Sequence, residues 1–338
     1  MKAVGYHKSL PLTEAECLVD ITAEKPEPGA RDLRVAVKAV SVNPVDTKVR
    51  MRAEPKAGEP AKVLGYDAAG VVDAAGPEVT LFKPGDEVFY AGSIARPGTN
   101  AELHLVDERI VGAKPKSLTF AQAAALPLTS ITAWELLFDR FAVAPGKTPD
   151  ERALLVIGGA GGVGSMMVQL ARRLTGLDVI ATASRPETRA WCLRLGAHHV
   201  IDHSKPLAGQ LKAIGHHTVA LIASLTGTDQ HYPEVPEIIA PQGKFGLIDD
   251  PKALDVGLLK RKAASLHWES MFTRPIFGTP DMIGQHRLLN EVSRMVDDGL
   301  IVTTMAKELT PINAANLRKA HAQIESGTTI GKIVLHGW

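Results

Sequence analysis

The chain has 338 residues, 45% of them hydrophobic and 22% charged, with a formal net charge of +1. That length suits two domains of ordinary size, and the composition is that of a soluble globular protein. The near-neutral charge and the 5% aromatic content argue against a basic nucleic-acid or membrane surface and against a base-stacking platform.

No apolar run is long enough to span a bilayer, and the opening MKAVGYHKSL lacks the apolar core of a signal peptide. The two cysteines, Cys17 and Cys192, fit no disulfide or metal spacing. The expected setting is therefore a reducing cytoplasm, with no nucleic-acid or membrane partner.

In chain order, the first third reads as short strands. RVAVKAVSVN, AGVVDAAG, GDEVFYAG and NAELHLVDERIVGA carry β-type patterns, separated by Pro/Gly turns such as Pro26-Glu27-Pro28-Gly29 and Lys83-Pro84-Gly85-Asp86. TFAQAAALPLTSITAWELLFDRF then reads as helix, proline break and helix. From Ala153 the rhythm becomes strand, glycine-rich turn, helix, strand, through ALLVIGG, GVGSMMVQLARRL, DVIATAS, PETRAWCLRLG, HHVID, TVALIASL and GKFGLI. This alternation predicts a parallel sheet covered by helices. GQHRLLNEVSRMVDDG is a further helix, and the remainder to Trp338 reads β-α-β.

The turn after ALLVI holds Gly159, Gly161 and Gly164 in G-x-G-x-x-G spacing, with Gly162 and Val163 between the last two. An apolar strand enters it and an amphipathic helix leaves it, the setting required of a dinucleotide-binding loop. In that reading the first glycine allows the tight turn. The second admits a pyrophosphate, and the third lets helix pack on strand. The pyrophosphate meets free N–H groups at the positive end of the helix.

At the end of the next strand, NAD-binding folds place an acidic residue for the ribose 2′-hydroxyl. This chain has Ser184 and Arg185 there. A guanidinium binds the 2′-phosphate in a bidentate, charge-assisted way, which predicts NADPH over NADH.

Together with SVNPVDTKVR, LGYDAAGVVDAAG, KPGDEV, AAALPLTSITAWELL, GGAGGVG and GTTIGKIVL, these features resemble the medium-chain dehydrogenase/reductase superfamily. Within it, the quinone oxidoreductase and zinc-type alcohol dehydrogenase-like branch is the nearest match. The resemblance implies an α/β architecture. A GroES-like, β-rich catalytic domain is expected over 1–122 and 301–338, a doubly wound Rossmann NADP-binding domain over 123–300, and an active-site cleft between them. A homodimer is the family's expectation; HWESMFTRP (267–275) has the aromatic and Met content of a substrate wall or a subunit interface, and the resemblance favours a strand pairing across the dimer.

Zinc-dependent members carry a catalytic Cys where this chain has Asn43, and His-Glu where it has Tyr66-Asp67. The four-cysteine structural lobe is also missing, and no bound metal is expected. His198-His199 and His216-His217 invite a metal reading, but neither pair has Cys, Asp or Glu at ligand spacing in a matching context.

Without a metal to polarise an alcohol oxygen, the expected reaction is hydride transfer from NADPH to a quinone or an α,β-unsaturated carbonyl. Asn43 is expected either to bind nicotinamide and acceptor oxygen or to form a turn before Pro44. Asp46 is expected to order the local loop. Lys48 is either a proton donor or a solvated surface lysine, and Tyr66 either a donor or a space filler. The resemblance adds cofactor contacts at Thr129, His203, Ser224, Leu225, Thr226, Ile248 and Lys332. Alternatives are an enoyl-thioester or alkenal reductase, alcohol dehydrogenase-like activity, and an NADPH-binding sensor without turnover.

Overall fold

The computed structural model describes residues 1–55, 57–58, 61–148 and 150–338. Its contacts divide the chain into two compact units, Met1–Ile131 with Phe272–Trp338, and Thr132–Met271. The first unit contains β1 (Lys2–Tyr6), β2 (Val19–Thr22), β3 (Asp32–Val42), β4 (Lys62–Val63), β5 (Ala68–Ala75), β6 (Glu87–Tyr90), β7 (Leu103–Asp107) and β8 (Val111–Ala113). The second contains β9 (Ala153–Ile157), β10 (Asp178–Thr182), β11 (His199–Ile201), β12 (Val219–Ser224), β13 (Ile239–Leu247) and β14 (Ser265–Trp268). β15 (Met305–Leu309) and β16 (Lys332–His336) belong to the first unit.

The first unit is organised on β3, an eleven-residue strand in which Leu33, Val35, Val37, Ala39 and Val40 are buried. One edge of β3 pairs antiparallel with β5. The other pairs with β7 along its first half and with β16 along its second. β16 also lies parallel to β15, and the helix Ala314–Glu325 connects the two. The chain end thus lies in the first unit.

The segment 100–113, which reads as one strand, is broken at Glu108–Ile110. β7 stays with β3, while β8 crosses to β6. A fully buried carboxylate holds this corner. Glu108 accepts the N–H groups of Thr80 (2.8 Å) and Leu81 (2.7 Å) and a hydrogen bond from Arg31 (3.1 Å). The helix Ile283–Asp297 groups with the first unit, not with the parallel sheet. His286 and Asn290 on it bond the backbone of Val111 and Ala113 in β8.

The second unit is a six-stranded sheet in the order β11-β10-β9-β12-β13-β14, parallel throughout. Both faces are covered, so the strands read as unbroken apolar runs; every residue of β9 is buried. Leu155, Ile157, Ile180, Ile222, Phe245 and Leu247 pack into one core with Tyr232, Val235 and Ile238.

The same unit buries two acids side by side. Glu269 is buried and ion-paired to Arg140 (Nε to Oε2, 2.9 Å), with the buried carboxyl of Glu135 beside it. Burial, then the neighbouring carboxyl, pushes its pKa up. The folded state therefore keeps a proton that an unfolded glutamate, with a pKa of about 4.3, releases. Stability falls as pH rises from that value through the raised pKa. Glu269→Gln is expected to flatten this decline in urea midpoints measured across the neutral and mildly alkaline range. An unchanged slope would exclude the pair as its source.

Candidate active site

Strand order reverses at β9, whose neighbours are β10 on one side and β12 on the other. A crevice at the carboxyl ends of the strands is expected at such a point. The glycine loop stands there, between β9 and the helix Gly162–Leu174. The left-handed turn falls one residue earlier than the motif indicated. Gly158 has φ +87°, and its N–H is held by Thr182 Oγ1 at 3.0 Å.

Gly159 is needed for a different reason: a Cβ there would lie 2.7 Å from Ala181 Cβ. At Gly164 a Cβ would stand 2.3 Å from the Gly158 carbonyl oxygen, so this glycine sets how closely the helix meets the turn. Gly161 differs from both. A Cβ there meets nothing nearer than 3.5 Å, so the protein itself does not demand glycine. This fits a position kept bare for a ligand to approach the backbone.

The other expected cofactor residues of this unit lie at the same end of the sheet. Ser184, exposed, and Arg185, half-buried, follow β10. Arg185 caps the helix Pro186–Leu195, and its Nε lies 3.4 Å from the exposed Glu187. Such a surface pair is weak and readily exchanged for a phosphate. His203 follows β11 and hydrogen-bonds Thr182 through Nδ1 at 3.0 Å. Ser224 ends β12 and bonds Thr228 at 2.7 Å, and Thr228 is held by Asp249. Leu225 donates its N–H to Ile157 (3.1 Å), Thr226 lies beside Gly158, and half-buried Ile248 follows β13.

In the first unit, SVNPVD and GYD meet around one buried carboxylate. Asp67 Oδ2 accepts hydrogen bonds from Ser41 Oγ (2.8 Å), Asn43 Nδ2 (2.7 Å) and Lys332 Nζ (3.0 Å); Oδ1 accepts the Leu128 N–H (2.8 Å). Asp67, Ser41, Asn43 and Lys332 are all at most 3% exposed. Lys332 also donates to Val42 O (3.0 Å) and to Asn43 Oδ1.

All three ammonium hydrogens are thereby used inside the protein. In this arrangement Lys332 acts as the counter-ion of Asp67, where the resemblance implied a cofactor contact. Asn43 is likewise engaged on both amide atoms. Thr129 is buried one residue beyond Leu128, with its hydroxyl donating to Leu126 O (3.1 Å).

Asp46 orders the loop, as its place in the motif suggested. It accepts the N–H groups of Asn43 (2.7 Å) and Gly65 (3.1 Å). Complete burial pushes its pKa up to about 7 against these bonds and the Lys332 charge. Gly65 has φ +108°, and a Cβ there would lie 2.5 Å from Thr99 Oγ1, so glycine alone fits.

Tyr66 is 1% exposed, and its hydroxyl has no hydrogen-bond partner among the described residues. Its ring meets Phe272 edge-on at 5.5 Å, a contact that sequence spacing could not reveal. Burial pushes its pKa up, so the phenol keeps its proton. Lys48 is half-buried on the helix Pro44–Arg52.

These residues do not fit a zinc ion. A catalytic zinc takes three N, S or O side chains. Here Asp67 already holds an ammonium at 3.0 Å, Asn43 is engaged, and Tyr66 is a neutral phenol. Among the described residues no group of three His, Cys, Asp or Glu gathers at this place.

If Lys332 is the counter-ion of Asp67, Lys332→Met leaves a buried uncompensated carboxylate and is expected to cost about 3–5 kcal/mol. Pairing it with Asp67→Asn should restore most of that in urea unfolding. A double variant no more stable than the single would refute the pairing.

Two family descriptions match the chain: "Alcohol dehydrogenase GroES-like domain" over residues 29–130 and "Zinc-binding dehydrogenase" over 195–335. A zinc-type alcohol dehydrogenase-like protein of Staphylococcus aureus is 41% identical over 338 residues, 99% of this chain and all of that one. A quinone oxidoreductase of Pseudomonas aeruginosa is 31% identical over 319 residues, 91% of this chain and 92% of that one. A solved Rhizobium etli structure, described as a zinc-dependent alcohol dehydrogenase, shares 62% identity with a TM-score of 0.96, covering 100% of this chain and 98% of that one. A mycobacterial structure complexed with NADPH superimposes with a TM-score of 0.84 at 25% identity, covering both chains fully. No helix among the described residues is long and apolar enough to cross a membrane. The chain belongs to the medium-chain dehydrogenase/reductase superfamily of oxidoreductases, among its zinc-type alcohol dehydrogenase-like members.

Proposed function

We propose that this protein is an NADPH-dependent reductase of quinones or α,β-unsaturated carbonyls that works without a catalytic metal. The observation that carries this reading is the saturation of Asp67 by Lys332, Asn43, Ser41 and the Leu128 N–H. The group best placed to ligate a metal spends its lone pairs on the protein. An acceptor that is already electrophilic needs no Lewis acid. The Pseudomonas aeruginosa relative is named for such an acceptor, and the mycobacterial structure was solved with NADPH.

Bound NADPH supplies the hydride, to a quinone or to the β-carbon of an enone, and leaves as NADP⁺. The Gly158–Gly164 loop and the Gly162–Leu174 helix N-terminus hold the pyrophosphate. Arg185 and Ser184 bind the 2′-phosphate, with His203, Ser224, Leu225, Thr226 and Ile248 lining the adenosine and nicotinamide ends. One proton must also reach the reduced acceptor. The neutral Tyr66 hydroxyl, without a partner among the described residues, is the first candidate donor and Lys48 the second. Asn43 and Lys332 act as positioning residues, through Asp67 and the turn into the helix Pro44–Arg52. A homodimer pairing along β14, the last strand of its sheet, with Trp268 55% exposed, completes the reading, together with a cytoplasmic setting.

Cofactor oxidation against small quinones, enones, alkenals and simple aldehydes tests the proposal, with NADPH and NADH compared. Turnover of quinones or enones with NADPH is expected. Turnover of aldehydes alone would return the protein to alcohol dehydrogenase chemistry, and binding without turnover would favour a sensor. Arg185→Asp is expected to weaken NADPH roughly ten- to hundredfold, the worth of one charge-assisted phosphate contact. Unchanged NADPH preference would remove Arg185 from the site. Tyr66→Phe should lower kcat roughly 10²–10⁴-fold if its hydroxyl donates the proton. Normal turnover in both Tyr66→Phe and Lys48→Ala would clear both residues of that role.

A further inference from the structure

A second group of ligating side chains converges at the other end of the parallel sheet from the glycine loop. Asp178 is the first residue of β10 and His199 the first of β11, while His216 lies in the loop leading to β12. Three separate segments therefore meet at the amino ends of the strands. Asp178 Oδ2 accepts a hydrogen bond from His216 Nε2 at 2.6 Å and lies 3.6 Å from His199 Nε2. One ligand atom from each of the three residues lies within 4.8 Å of the other two. The two imidazole rings stand 6.3 Å apart at 70°, facing the carboxylate from different directions. The side chains are 27%, 38% and 21% exposed in the order Asp178, His199, His216. They are accessible to an ion from solvent and sheltered enough to hold one.

We propose that Asp178, His199 and His216 form a binding site for a divalent cation of the zinc class, completed by solvent. Two imidazole nitrogens and one carboxylate oxygen suit zinc and the late first-row metals. Magnesium and calcium prefer all-oxygen sites. Zinc bonds of about 2.0–2.2 Å place tetrahedral ligand atoms roughly 3.3–3.5 Å apart. The Asp178–His199 separation of 3.6 Å is about 0.1 Å longer than this. The Asp178–His216 pair opens by less than about 1 Å, with the ion replacing the shared hydrogen. His198 stays outside the set, because its Nδ1 accepts the Val179 N–H at 2.9 Å. The ion clamps the edge strand β11 to β10 and to the loop before β12, far from any hydride chemistry, and its role is structural.

Metal-stripped, full-length protein dialysed against micromolar zinc and assayed by elemental analysis tests this. About one ion per chain is expected at this site. Asp178→Asn and His216→Ala should each weaken zinc binding by at least about tenfold, since loss of mere supporting partners costs 10–100-fold. His217→Ala, at an exposed neighbour outside the group, should leave binding unchanged. Circular dichroism and NADPH affinity serve as folding controls for every variant, and cobalt loading should give visible bands without sulfur charge transfer. The proposal fails if the native protein takes up no zinc, or if correctly folded Asp178→Asn and His216→Ala bind it as well as the native chain does. It also fails if only Asp67→Asn abolishes binding.

Discussion

The first unit is organised around one buried ion pair. Asp67 and Lys332 are 265 residues apart in sequence and 3.0 Å apart in space. Through Asp67 the end of β3, the start of β5, the N-terminus of the helix at Pro127–Trp134 and the start of β16 are tied to a single carboxylate. Neither charge is tolerable there alone, because desolvating an ion costs several kcal/mol unless a partner and hydrogen bonds offset it. Here the offset is complete on both sides. Lys332 has three acceptors for three hydrogens, and Asp67 has four donors.

That arrangement shapes the chemistry on offer. In the zinc-dependent pattern this place belongs to a cation and its soft ligands. In this chain an ammonium supplies the positive charge, and a side-chain amide and a phenol stand where the other ligands would be. An ammonium neutralises a carboxylate but has no open coordination position with which to polarise a substrate oxygen. Among the described residues the Tyr66 hydroxyl is a buried polar atom without a hydrogen-bond partner, a neutral donor beside Phe272. In the proposed reading a site of this composition orients and protonates, and Lewis acidity has no part in it.

The two proposals for the second unit fall at opposite ends of one sheet. At the carboxyl ends, backbone N–H groups, small residues and an arginine suit a dinucleotide. At the amino ends, histidines and an aspartate suit a small cation. The parallel arrangement makes this separation automatic, since every strand begins at one end and finishes at the other. The core between them, β9 with its neighbours, is apolar on both faces and keeps the two ends chemically independent.

Local pattern was enough to read much of this from the amino-acid order. The βαβ rhythm, the glycine loop, Arg185 in place of an acid, the loop-ordering role of Asp46 and the return of the chain end are all recorded in spacings of a few residues. Periodicity and turn chemistry act over that range. What the tertiary structure decided depends on residues far apart in the chain. It moved the left-handed turn to Gly158, broke 100–113 over the buried Glu108, and set Phe272 against Tyr66. It paired Lys332 with Asp67 across 265 residues of sequence. It also gave the paired histidines the carboxylate they lacked in sequence, because Asp178 lies 38 residues before His216 and only the assembled parallel sheet, with β9 between β10 and β12, brings them together. A sequence states which groups are present; the pairing of buried charges and ligands is settled only when the sheet closes and water leaves.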